Sequence, residues 1–222
     1  MPIKIQIFGE RCSGTKYLAR LLLSNFSNVV ITSECGFKHF FPDRTHIQDQ
    51  DTTSVLFVVI VRDYKTWLRS MWAQPYHVHC SLRGVSFDKF IKKEWRCVYD
   101  ETAHVPPRDP RFGSEMLFER DPETQERFKN VVEMRSAKMR AFLQLRDLVE
   151  NYVLITYEEL VASPDVVINF MQTRFGLKRS SSRVNLGKRH VPIVHAPLEE
   201  RHIAHVKKHV DVSIENFVGY EI

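Results

Sequence analysis

Val55-Leu56-Phe57-Val58-Val59-Ile60-Val61 constrains the fold more than any other stretch: seven consecutive apolar residues, most of them β-branched, broken at once by Arg62-Asp63. A strand with one wet face alternates apolar and polar residues. A run without alternation reads as a central strand buried on both faces, the habit of parallel sheets covered by helices. Arg62 then stands at the carboxyl end of such a strand, where open α/β sheets gather their ligands. The segment Tyr64 to Trp72 is helical in pattern and carries Ser70, eight residues after Arg62.

A second strand opens the chain. Ile3, Ile5 and Ile7 alternate with Lys4 and Gln6, and after the turn Gly9-Glu10-Arg11-Cys12-Ser13-Gly14 the residues Leu18, Leu21, Leu22 and Phe26 share one helical face. Gly9 and Gly14 let the backbone approach a ligand closely, and the unpaired N–H groups of the helix's first turn favour an anion. Three chemistries use such a turn. A nucleotide kinase requires G-x-x-x-x-G-K-[ST], but here Thr15 follows Gly14 and Lys16 comes one place late. A cysteine phosphatase requires an arginine six residues after its nucleophile, and the sixth residue after Cys12 is Leu18. Neither motif closes, and an ordinary strand-turn-helix corner is the plain alternative.

Taken together, the two segments resemble the sulfotransferases that use 3'-phosphoadenosine 5'-phosphosulfate (PAPS). Cys12-Ser13-Gly14-Thr15-Lys16-Tyr17-Leu18 looks like the family's 5'-phosphosulfate loop, K-[ST]-G-T-[TS]-W-L. Val61-Arg62-Asp63 through Ser70-Met71 looks like its 3'-phosphate motif, in which an arginine and a serine eight residues later hold that phosphate. Ile155-Thr156-Tyr157-Glu158-Glu159-Leu160 is similar to the family's Y-E-D-L stretch, whose tyrosine lies near the adenine. The resemblance implies a three-layer α/β/α fold, P-loop NTPase-like, with a mostly parallel central sheet. It implies PAPS as sulfuryl donor, with no metal required, held by Arg11, Cys12, Ser13, Gly14, Thr15, Lys16, Tyr17, Arg62, Ser70 and Tyr157. The family's lysine before Ser/Thr-Gly-Thr is replaced by Cys12, so the charge falls to Arg11 or Lys16. Cys12 itself is either a thiol of lowered pKa at a helix amino end or a small filler of the turn.

The resemblance extends to a base. In many members a K-T-H-x-P stretch lies a little over twenty residues before the 3'-phosphate arginine; here Lys38-His39 stands in the run Val29 to Pro42, His39 being twenty-three residues before Arg62. An imidazole of ordinary pKa, about 6.5, accepts a proton near neutrality, and Lys38 adds positive charge against a transferring sulfuryl group. Beside Phe37, Phe40 and Phe41, His39 reads equally as a packed side chain. Lys188 and Arg189, after Gly187, correspond imperfectly to the family's basic glycine loop over the nucleotide, or are simply a solvated basic loop.

The remaining features bound the answer. With 222 residues, 43% of them hydrophobic, one substantial core can form, and residues 1–222 read as a single domain. The proline-broken segment 99–123 is either a loop on the acceptor side or a polar excursion, and it does not name the acceptor beyond a small molecule or carbohydrate. A net charge of +5 suits an anionic ligand without demanding nucleic acid. The four cysteines form no C-x-x-C pair, no charged-then-apolar leader opens the chain, and no apolar run approaches the roughly 20 residues that span a bilayer. A cytoplasmic protein without a membrane partner is expected. His202, His205 and His209 share one face of an expected helix starting near Pro197, a spacing compatible with zinc but lacking an acidic or cysteine partner. Further helices are expected from Ser86 through Trp95, from Asn130 to Val149, and from Ser163-Pro164 to a stop at Gly176. Besides a PAPS-dependent sulfotransferase, a P-loop nucleotide kinase-like enzyme and a non-catalytic nucleotide-binding module remain open.

Overall fold

The computed structural model describes residues 2–180 and 190–222. The chain divides into two compact units, Met1–Asp63 with Ala141–Val194, and Tyr64–Arg140 with His195–Ile222. In chain order the elements are β1 (Ile3–Gly9), α1 (Thr15–Asn25), β2 (Val29–Thr32), α2 (Arg44–Gln48), β3 (Val55–Val61), α3 (Tyr64–Ala73), α4 (Phe87–Lys92), α5 (Val131–Gln144), β4 (Tyr152–Thr156), α6 (Tyr157–Ala162), α7 (Pro164–Phe175), α8 (Glu200–His209) and α9 (Val212–Phe217).

The first unit holds the sheet. Its strands are all parallel in the order β2-β1-β3-β4, with Ile5 opposite Ile31 on one side and Leu56 on the other. β3 is buried along its whole length, as its unbroken apolar run requires of a strand flanked on both sides. Ile5, Ile7, Leu56, Val58, Ile60, Val153 and Ile155 pack on one face against Leu18, Leu21 and Leu22 of α1, Leu160 of α6, and Val167, Ile168 and Met171 of α7. Each fully buried aliphatic side chain stabilises the fold by about 1.5–3 kcal/mol relative to exposure. On the other face Phe8 stacks on Phe142 of α5 with ring centroids 6.2 Å apart, and the Tyr152 hydroxyl donates to the main-chain oxygen of Phe142. The architecture is therefore a three-layer α/β/α sandwich.

β1 carries a polar residue into that interior. Gln6 is fully buried, and its amide donates to the Gly36 oxygen at 3.1 Å and accepts from the Cys35 N–H at 3.3 Å. The pairing satisfies a group that would otherwise cost about 1–3 kcal/mol to bury, and it ties the chain after β2 to β1. α6 opens on a reciprocal capping box between Thr156 and Glu159, and α7 begins with Pro164 and ends at Gly176 with φ +64°.

The second unit is helical. Ser86 caps α4 by accepting from the Lys89 N–H, but the helix stops at Lys92 rather than Trp95, because the Trp95 N–H donates to the Phe128 oxygen instead. Arg135 of α5 pairs with Glu215 of α9 at 2.6 Å and Lys138 with Glu119 at 2.8 Å, all four buried. Residues 99–123 are tied down here rather than loose. Asp100 caps a short 3₁₀ turn at Glu101–Ala103, Val98 bridges Glu115, and Glu115 receives both Arg120 and Arg127 at 2.8 Å. Among the described residues no helix is long and apolar enough to cross a membrane.

Candidate functional site

The first unit builds the turn between β1 and α1 from close contacts. At Gly9 a Cβ would lie 2.5 Å from the main-chain oxygen of Ile60 in β3, so only glycine lets the strands reach this separation. Gly14 has φ +94°, and a Cβ there would meet the Tyr157 ring at 2.7 Å. Cys12 also adopts a left-handed backbone, φ 63°. Ser13 closes the turn on itself, its hydroxyl donating to the Glu10 oxygen at 2.6 Å and its N–H to the same oxygen at 3.2 Å. That hydroxyl braces the turn, and at the start of α1 Gly14 in the N-cap position offers no side chain to the first-turn N–H groups.

Arg62 meets this turn from the end of β3. Its Nη1 donates to the Cys12 oxygen at 2.9 Å, and its guanidinium lies 4.4 Å from the centroid of the Tyr157 ring. Arg62 and Arg11 are both buried, and both of their charges act on Cys12. Even so, burial dominates and pushes the Cys12 thiol up to about 11. The thiolate alternative is thereby corrected: desolvation outweighs the two arginines, and Cys12 is a neutral filler of the turn.

His39 is held at the root of the turn. The Gly9 N–H donates to the Lys38 oxygen at 3.0 Å, and His39 Nδ1 lies 2.7 Å from the Gly9 oxygen. A carbonyl only accepts, so Nδ1 carries a proton, and in the neutral ring the basic nitrogen is Nε2. Phe37 meets the ring edge-on at 5.3 Å, so His39 is packed and oriented at once. Lys38 and Lys16 approach each other closely enough that, after burial, the Lys16 charge is what pulls the Lys38 ammonium below its ordinary value. Two ammonium groups so placed form a cationic pair suited to an anion.

Comparison of the chain with protein-family models, with curated proteins and with solved structures finds no match.

Thus the described residues of the first unit bring together Arg11, Cys12, Ser13, Gly14, Thr15, Lys16, Tyr17, Lys38, His39, Arg62 and Tyr157. Ser70 belongs to the second unit, where its buried hydroxyl hydrogen-bonds with His195 Nε2 at 2.9 Å. Lys188 and Arg189 lie outside the described residues. The expected histidine face of α8 is occupied by structural contacts: His202 Nδ1 accepts from the Glu199 N–H, His205 Nε2 donates to the Ile91 oxygen at 3.0 Å, and His209 Nδ1 meets Glu133 at 2.9 Å. Among the described residues no group of three or more His, Cys, Asp or Glu side chains is placed to hold a metal ion.

One site residue escaped the sequence reading. His190 stacks on Tyr17 with centroids 4.8 Å apart, and its Nε2 lies 2.8 Å from the Tyr157 hydroxyl. Its only sequence signal is its place directly after Lys188-Arg189.

Proposed function

We propose that the chain moves a sulfuryl group from PAPS to an acceptor hydroxyl, or less favourably an amine, on a small molecule or carbohydrate. The observation that carries this reading is the junction of Arg62 with the Gly9–Lys16 turn: two anchors fifty residues apart in sequence converge through the 2.9 Å contact of Arg62 with Cys12. In this reading Thr15, Lys16 and the first-turn N–H groups of α1 grip the 5'-phosphosulfate, and Arg62 grips the 3'-phosphate. Ser70 is assigned to that phosphate on the sequence resemblance alone. His39 Nε2 takes the proton as the acceptor oxygen bonds to sulfur. The bond from sulfur to the bridging oxygen breaks, and the released charge on the 5'-phosphate is met by Lys16 and Lys38. Positioning and charge do the catalytic work, as in phosphoryl transfer.

A second reading is favoured by one observation. Cys12 stands directly before Ser13-Gly14-Thr15 with its thiol held neutral by burial, so that position supplies no cation to the leaving oxygen; a nucleotide-binding module without transfer chemistry would have this feature. The kinase-like reading has no such support, since Lys16 is displaced from the position it requires. Calorimetry in the presence of EDTA tests the nucleotide assignment. 3',5'-Diphosphoadenosine should bind at least tenfold tighter than AMP, the worth of about 1.4 kcal/mol from a charged contact. Equal affinities, or binding that requires magnesium, would contradict it.

A further inference from the structure

His190 sits in a cluster of cations and rings. Tyr17 and Arg20 reach it from α1, Arg62 from the end of β3, and Tyr157 from the start of α6, with Glu158 beside Tyr157. Burial, then the charges of Arg62 and Arg20, depress its pKa below the ordinary imidazole value. The ring is therefore neutral near neutrality, stacked on Tyr17 and hydrogen-bonded with Tyr157. Arg62 lies over the same Tyr157 ring that His190 contacts edge-on with centroids 5.8 Å apart, so an anion attracted to Arg62 also acts on His190.

We propose that His190 is a proton-linked phosphate ligand, neutral while the cluster holds its own arginines alone and binding one proton when a phosphate settles against Arg62. The proton comes from solvent and ends on the imidazole. No bond to phosphorus is made or broken. The imidazolium then adds a cation to the site, and the ligand's negative charge works against the burial and the two arginines that oppose protonation. Anion affinity consequently rises as pH falls through the titration of the occupied site, while without a ligand the imidazole adds no charge to the arginines at neutrality. The inference rests on the nucleotide reading only in requiring a phosphate at Arg62.

The test follows the imidazole Cε1–H resonance of His190, assigned by its loss in His190→Gln, across roughly pH 5 to 8 around the ordinary histidine value. Three samples are titrated: free protein, protein with saturating inorganic phosphate, and protein with saturating 3',5'-diphosphoadenosine. Either anion should raise the midpoint by about one to three pH units, the effect of an opposite charge within contact range. Raised midpoints with phosphate alone, with no nucleotide binding, would support this inference while removing the PAPS reading. An identical midpoint in all three samples, whether or not the anions bind, would overturn it. Should His190→Gln fold poorly, His190→Phe provides the assignment while keeping a ring against Tyr17.

Discussion

Arg62 donates to the main-chain oxygen of Cys12 at 2.9 Å while its guanidinium stacks on Tyr157, so one side chain ties the end of β3 to the turn before α1 and to the start of α6. Its planar fork serves both contacts, which a lysine cannot reproduce. Arg62→Lys should keep the charge yet loosen the turn; Arg62→Ala should erase the preference for 3',5'-diphosphoadenosine over AMP. The expected loss is about 1.5–3 kcal/mol for a charged hydrogen bond, or roughly tenfold to over a hundredfold in affinity, read by calorimetry beside the circular dichroism of each variant.

Gly14→Ala should be far costlier than a surface glycine substitution. It combines a left-handed backbone, φ +94°, with a 2.7 Å approach to the Tyr157 ring. The first costs about 1–2 kcal/mol and the second about 1–3 kcal/mol unless the ring moves. Gly36→Ala, at φ +114° but with nothing within 4 Å, should show the backbone cost alone. Urea denaturation of the two variants separates the terms, and equal losses would mean that Tyr157 shifts freely.

Cys12 should be a slow nucleophile. Burial raises its thiol to about 11 from an ordinary 9.0, so alkylation at neutral pH should lag far behind that of the exposed Cys80, as mass spectrometry of iodoacetamide-treated protein would show. The same burial has a signed effect on stability. Below pH 9 the thiol is neutral in both states and contributes no pH dependence. Between about pH 9 and 11 the unfolded chain loses its proton first, and stability falls by an amount on the order of 2–3 kcal/mol. Cys12→Ala should flatten that fall relative to the wild type. Cys12→Lys should not raise turnover, because Lys16 and Lys38 are the cations assigned to the leaving 5'-phosphate.

Much of this was legible in the sequence where one residue type admits one environment. The unbroken run Val55–Val61 demanded a doubly covered strand, and Pro164 and Gly176 marked the ends of α7. The Gly9–Lys16 turn and the Arg62 segment were legible as motifs, but their junction was not, since it depends on a carbonyl at Cys12 that a side-chain pattern does not carry. Gln6 looked like the wet member of an alternating strand, yet its partners Cys35 and Gly36 are local to another segment and bury it. The early end of α4 depends on the Phe128 carbonyl, equally remote in sequence. β4 and α2 passed unread because each is only five residues long, too short for a clear period. His190 was invisible because its two rings of contact, Tyr17 and Tyr157, come from different elements.

The central claim is that His39 accepts a proton during sulfuryl transfer, with its tautomer fixed by the 2.7 Å contact to Gly9. Labelled PAPS incubated with the protein and a pooled metabolite and glycan extract in EDTA, with products identified by mass, tests it most directly. His39→Asn serves as the comparison, because its amide can still donate to the Gly9 oxygen but carries no basic nitrogen. The account predicts a sulfated product and 3',5'-diphosphoadenosine in equal amounts from the wild type, and a turnover lower by roughly 10²–10⁴-fold in His39→Asn with nucleotide affinity retained. Nucleotide binding with no sulfated product from the wild type, or equal turnover in the two proteins, would contradict it.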